Sequence, residues 1–206
     1  MMKAAVILAL VASAGTLAAL PRSGPDADLF NVVDVDGAPV LFRDFSGYRL
    51  DLGSLGPGDV RHFPSAFLLV NEIESAVRIA CASVDGPLAR MLVIYARIPG
   101  KPPVVDMTSA VPEPAGVMIL YSPERGSTCG EKSLELARGD GDPGTANGAK
   151  TTFDEDRGVY TLGTRAEPRT GGDSVLIGLL LRPASWEQEG IVSGLIDFQF
   201  DSGVPR

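Results

Sequence analysis

The sequence predicts an all-β fold, an antiparallel β-sandwich. Three observations carry that expectation. Twenty-four glycines and sixteen prolines are spread through 206 residues, which favours many short elements over long helices. Stretches such as Tyr48 to Leu52 and Ile196 to Phe200 alternate apolar and polar residues, the period of a half-buried strand. Some ten such segments are separated by regular turn signals. Hydrophobic residues make up 45% of the chain, enough for a real core, and one domain suffices at this length.

The first residues have the pattern of an export signal. Residues 1–19 are expected to be a signal peptide. Lys3 gives a positive start, Ala4 to Val11 form an apolar core, and Ala12-Ser13-Ala14 fits the small-x-small cleavage rule, with Thr16-Leu17-Ala18 as a second site. An uncleaved membrane anchor is the alternative, but the run through Leu20 is short for a span and rich in alanine. No cysteine stands at its end to take a lipid. The expectation is an exported protein of the periplasm, cell surface or extracellular space, with no membrane insertion after signal cleavage.

Residues 20–28 read as a flexible polar leader, and residues 29–206 as a single β-sandwich domain. Leu29, Val33 and Val35 lie on one side of an extended segment that Gly37 and Pro39 end. Val40 to Phe42 and Tyr48 to Leu52 follow as strands, and Gly53 to Gly58 break the second. Ala66 to Val70 is continuously apolar, as in a strand buried on both faces. Val77 to Val84 alternates, so Cys81 is expected to point inward with Val77 and Ile79. Asp85-Gly86-Pro87 is a turn, Met91 to Ile98 a strand, and residues 102–114 a proline-punctuated connection. Gly116 to Tyr121 is strongly β-prone. Residues 132–137 suit a strand or a helical turn. Residues 138–158 form the longest loop, and Val159 to Leu162, Val175 to Leu181 and Ile191 to Phe200 complete the set.

Cys81 and Cys129 are the only cysteines. In an oxidising compartment they are expected to form a disulfide, worth roughly 4 kcal/mol in the chain-entropy model. Two buried free thiols are the alternative.

The net charge of −8 argues against nucleic acid, whose phosphates need clustered Lys and Arg, and against anionic membranes. His62 is the only histidine, so no His-based metal site can form, and a surface or turn position is expected for it. No G-x-S-x-G elbow and no Walker loop occurs. Cys129 in GSTCG lacks a base to activate it. Asp140 and Asp142 resemble the start of a calcium loop, but Gly144 stands where the third ligand belongs. Asp154 and Asp156 could join them as a weak calcium site. Arg138-Gly139-Asp140 matches a short adhesion string and is best read as chance. Trp186 is expected to pack in the core. The chain is expected to have no catalytic group, no cofactor and no metal, and not to be an enzyme.

Taken together, Leu52-Gly53, Val77-x-Ile79-x-Cys81, Ala115 to Leu120 with its polar turn Ser122 to Gly126, and the alternating ending Gly190 to Phe200 resemble the pattern of chaperone–usher pilus subunits, including the spore coat U-like branch. The resemblance spans most of the mature chain. It departs from the family where many members carry a cysteine just before the LG strand, since none precedes Cys81 here. The resemblance implies an immunoglobulin-like sandwich that is incomplete and is completed by a donor strand. Leu29, Val33 and Val35, within residues 29–37, would be the plugs of such a strand; the alternative is that residues 29–35 pair within their own sandwich. Ile196, Phe198 and Phe200 would lie on the terminal edge strand that receives one. The implied partners are like subunits or a periplasmic chaperone, joined by strand addition. The implied function is that of a structural subunit of a bacterial surface fibre or coat. The alternative is a secreted β-sandwich module binding carbohydrate or calcium through residues 138–158 and Trp186.

Overall fold

The structure, a computed structural model, describes residues 4–12, 30–33, 40–44, 47–52, 60–71, 76–98, 117–129, 133–136, 152–154, 159–161, 173–182 and 192–202. These residues are all-β apart from one 3-10 turn at Pro87–Arg90. The strands are β1 (Ala4–Ala12), β2 (Phe30–Val33), β3 (Val40–Asp44), β4 (Gly47–Asp51), β5 (Arg61–Asn71), β6 (Val77–Asp85), β7 (Leu92–Arg97), β8 (Val117–Ser122), β9 (Gly126–Ser127), β10 (Ser133–Leu136), β11 (Thr152–Asp154), β12 (Val159–Thr161), β13 (Ser174–Leu181) and β14 (Val192–Ser202).

They form two sheets. One has the order β11-β12-β10-β6-β14-β1-β4-β3, the other β2-β5-β13-β7-β8-β9. The six-stranded sheet is antiparallel throughout. The eight-stranded sheet departs from that pattern at two pairs, β1 with β4 and β10 with β12, which are parallel. Parallel neighbours need a long crossover. Between β1 and β4 the chain makes one by passing through β2 in the opposite sheet.

The core lies between the sheets. Val77, Ile79, Ala82, Val84, Leu134, Leu136, Ile196, Phe198 and Leu52 come from or adjoin the first sheet. They share one cluster with Phe67, Leu69, Ile94, Met118, Leu120, Val175, Ile177 and Leu179 of the second. Phe67 and Phe198 meet edge to face at 6.1 Å across the interface. The second sheet is buried on its other face too, where Leu68, Val70 and Leu176 form a smaller cluster. This is why Ala66 to Val70 is apolar without alternation.

Three expectations need correction. Cys81 is buried but does not continue the inward row of Val77 and Ile79. The pairing of β6 with β14 slips between Gln199 and Phe200, so Phe200 pairs with Ile79 while Gln199 pairs with Cys81. This bulge flips the parity, and Ala82 and Val84 become the core residues. His62 is not in a turn. It lies within β5, half-buried, because the strand begins five residues before the apolar run that marks it. Residues 138–158 are not all loop, since Thr152–Asp154 pairs with Val159–Thr161 as a short antiparallel ladder. The segment 132–137, left between strand and helical turn, is strand at Ser133–Leu136.

Candidate strand-acceptor site

β14 sits inside its sheet with a strand on each flank. On one flank β6 pairs with it antiparallel from Leu195↔Asp85 to Ser202↔Val77. On the other, β1 pairs with it without a break from Ala4↔Phe200 to Ala12↔Val192. The far side of β1 pairs in parallel with β4, Leu8↔Tyr48 through Val11↔Asp51. The apolar core of the expected signal peptide therefore occupies a nine-residue slot between β14 and β4.

Parity along the strands defines the two faces of that slot. In a sheet, residues paired across strands share a face. Val6 and Leu8 stand in register with Phe198 and Ile196, both fully buried in the core. Leu10 stands in register with Gly194 on one side and Leu50 on the other. Leu52, two residues beyond Leu50, is buried in the same core. The opposite parity carries Ala5, Ile7, Ala9 and Val11, in register with Gln199, Asp197, Leu195 and Ser193 of β14. Arg49 and Asp51 of β4 stand at that parity as well.

Gly194 belongs to the inner row because the 3-10 turn rises beneath it. A Cβ there would stand 2.9 Å from Cβ of Leu88 and 2.7 Å from the Asp85 carbonyl oxygen, closer than packed atoms approach. The turn is itself held by Tyr121, whose hydroxyl donates to the Ala89 carbonyl at 2.8 Å.

On the outer face, Asp197 is the unusual group. Its Oδ1 is shielded from solvent with no hydrogen-bond partner. Burial, reinforced by the negative charge of Asp85, pushes its carboxyl above the usual carboxylate range. A buried, unpaired acceptor is costly.

Cys81 and Cys129 are disulfide-bonded, with Cα atoms 4.9 Å apart. The bridge ties β6 of the first sheet to the residues just after β9 of the second. It lies beside β14, since Cys129 Sγ is 3.5 Å from Gln199 Oε1. Arg78 and Glu135 add a 3.0 Å ion pair between β6 and β10.

A second polar group lies on the outer face of the six-stranded sheet. Tyr95 of β7 is fully buried and crosses β13 at Gly178, where any Cβ would fall within the space of its ring. Its hydroxyl shares a 2.5 Å hydrogen bond with His62 Nε2 on β5. Burial, then the Arg97 charge, lowers the His62 pKa below its ordinary value. Burial raises that of Tyr95. Arg97 donates to Ser65 Oγ at 2.9 Å. No signal in the sequence marked this pair, because Tyr95 and His62 are 33 residues apart and only Gly178 between them hints at a close approach.

The residues singled out from the sequence fall as follows. Ile196 and Phe198 are core residues of β14, and Phe200 lies in the same strand. That strand is interior while β1 is present and becomes an edge only in a chain without it. Phe30–Val33 pairs within the chain's own sheet as β2, with Val33 in register with Leu68, which is the alternative to a donor strand, while Leu29 and Val35 are outside the described residues. Asp154 ends β11, and Asp140, Asp142, Asp156 and Trp186 are outside the described residues. Among the described residues no group of three or more His, Cys, Asp or Glu could hold a metal ion, and no helix is long and apolar enough to cross a membrane.

No protein-family model, curated protein or solved structure matches this chain. The class that fold and site define is therefore a disulfide-bonded, all-β protein of two sheets, one of them completed by a strand drawn from the chain's first residues.

Proposed function

We propose that this protein is an exported structural subunit of a bacterial surface fibre or coat, of the chaperone–usher or spore coat U-like kind, assembled by β-strand complementation. The observation that carries the reading is the placement of β1. The segment whose composition suits a cleaved export signal is the one that fills an interior position of the eight-stranded sheet. Cleavage after Ala14 or Ala18 would take β1 away. It would leave β14 and β4 with facing rows of unpaired N–H and C=O groups, over a core that holds Ile196 and Phe198. Such an edge must be capped, and an extended segment of another polypeptide does so through main-chain hydrogen bonds and alternate apolar side chains.

On this reading the sandwich is immunoglobulin-like and one strand short, and the protein is not an enzyme. Its partners are like subunits or a periplasmic chaperone. The donor segment is residues 29–37, with Leu29, Val33 and Val35 as plugs. Phe30–Val33 is held by four register pairs at the margin of its own sheet, so donation requires release of an outermost strand only.

The test is the size of the exported protein. Purified from the periplasm or cell surface after signal removal, it is expected to run as a ladder of multimers that survive detergent at room temperature and collapse to one band on heating. A strictly monomeric, folded exported chain would contradict the proposal.

A further inference from the structure

The two halves of the Cys81–Cys129 bridge meet solvent very differently. Cys81 is fully buried, on a strand, β6, that lies between β10 and β14. Cys129 is exposed. It stands two residues beyond β9, the last strand of its sheet. The backbone that presents it is pinned to that sheet. Thr128 is buried; its hydroxyl donates to the Ile119 carbonyl at 2.8 Å and its N–H to the Leu120 carbonyl at 3.5 Å. Ser127, also exposed, holds its hydroxyl 2.8 Å from Cys129 Sγ. An external thiolate opens a disulfide by attacking in line with the S–S bond, at the sulfur it can reach. Attack on Cys81 would have to come through packed protein, whereas attack on Cys129 comes from solvent.

We propose that Cys129 is an exchange site: the sulfur at which a dithiol–disulfide oxidoreductase forms its mixed disulfide with this protein, with Cys81 as the internal cysteine that closes or releases the bridge. In the opening direction a thiolate of the partner bonds to Cys129 Sγ as the Cys81–Cys129 bond breaks. The electron pair leaves on Cys81 Sγ, which takes up a proton, because a bare thiolate without solvent is costly there. The partner's second thiol, as its thiolate, then attacks the partner's own sulfur in the mixed disulfide and expels Cys129. The protein ends as a dithiol and the partner as a disulfide. As Cys129 leaves, the Ser127 hydroxyl can donate to the charge that develops on its sulfur. The closing direction is the reverse: Cys129 attacks the partner's disulfide, and Cys81 attacks Cys129 Sγ to release the partner as a dithiol. Opening frees the margin of the six-stranded sheet from β6, the strand that flanks β14. The inference does not depend on what caps β14.

The test has two arms, both on the full chain. In the first, the oxidised wild-type protein is opened by reduced thioredoxin, the probe dithiol enzyme. The opening rate is expected to rise in proportion to thioredoxin concentration and to stay flat in urea below the unfolding transition. A rate that saturates at the unfolding rate and climbs with urea would show that the bridge opens only in unfolded protein, which overturns the proposal. The second arm asks which sulfur reacts. Cys81→Ala and Cys129→Ala proteins, or the Ser replacements where Ala does not fold, are mixed with thioredoxin whose second active-site cysteine is Ser and whose first carries a thionitrobenzoate leaving group. Release of thionitrobenzoate reads formation of the mixed disulfide. In folded protein, Cys129 is expected to react about 10-fold or more faster than Cys81, since access sets the rate. In urea the two rates are expected to converge. A folded protein in which Cys81 reacts as fast as Cys129 overturns the assignment.

Discussion

His62, the chain's single histidine, titrates below its ordinary value because burial and the Arg97 charge oppose its protonation. In the unfolded chain it takes its proton near pH 6.5. Between that pH and the lower folded value the unfolded state holds the proton and the folded state does not. Stability is therefore full above pH 6.5 and is lost as pH falls through the window beneath it. The one imidazole signal in a proton NMR titration is expected to move only below pH 6.5, and His62→Gln to flatten stability across that window. A midpoint at or above 6.5 would contradict the burial of this ring. Asp197 has the opposite linkage. Its folded pKa is raised, so ionisation at neutral pH works against the fold, and acidification through the folded pKa relieves it. Asp197→Asn is expected to raise the melting temperature at pH 7, with a gain that shrinks as pH falls towards 4. Gly178→Ala is expected to cost about 1–3 kcal/mol as overpacking against the Tyr95 ring, read from denaturant midpoints.

Among the elements, those with clean period-two patterns were legible in the sequence. β4 and β14 lie within a residue or two of where alternation and turn residues put them, while β13 and the second half of β5 were legible as continuous apolar runs, which suit strands buried on both faces. What stayed hidden has local causes. The bulge in the pairing of β6 with β14 is set by register with a strand more than a hundred residues away, so alternation alone put Cys81 in the wrong row. Thr152–Asp154 is a three-residue strand whose existence depends on β12 rather than on its own composition. β1 was hidden because a short, continuous apolar run serves a signal peptide and a buried strand equally well, and composition cannot separate them. The bridge between Cys81 and Cys129, by contrast, needed only a count of cysteines and an oxidising destination. It closes a separation of 48 residues and fastens β6, beside β14, to the opposite sheet. The double variant Cys81→Ala with Cys129→Ala is expected to lose about 2–4 kcal/mol of stability, measured by urea unfolding under non-reducing conditions.

For the whole molecule, the decisive property is that one sheet owes its continuity to residues the chain is expected to lose. With β1 in place, β14 and β4 are bridged and the core beneath Ile196 and Phe198 is closed. Without it, the two strands would bound a gap, the one that the proposed function has another polypeptide fill. Ile196, Phe198 and Phe200 were legible as one alternating strand, read as a terminal edge, whereas the neighbours on both its flanks, β6 and β1, come from distant parts of the chain and no local pattern marks them. The direct measurement is amide hydrogen exchange on a chain beginning at residue 20, compared with the full chain. A third chain, also beginning at residue 20, carries the nine residues of β1 after Arg206 through a short turn, which supplies the antiparallel direction β14 requires. Loss of protection is expected at alternate amides of Val192–Ser202 and in Gly47–Asp51, with Ser174–Leu181 still protected and the appended strand restoring what was lost. Equal protection of β14 with and without residues 1–19 would show that the sheet has no slot to fill.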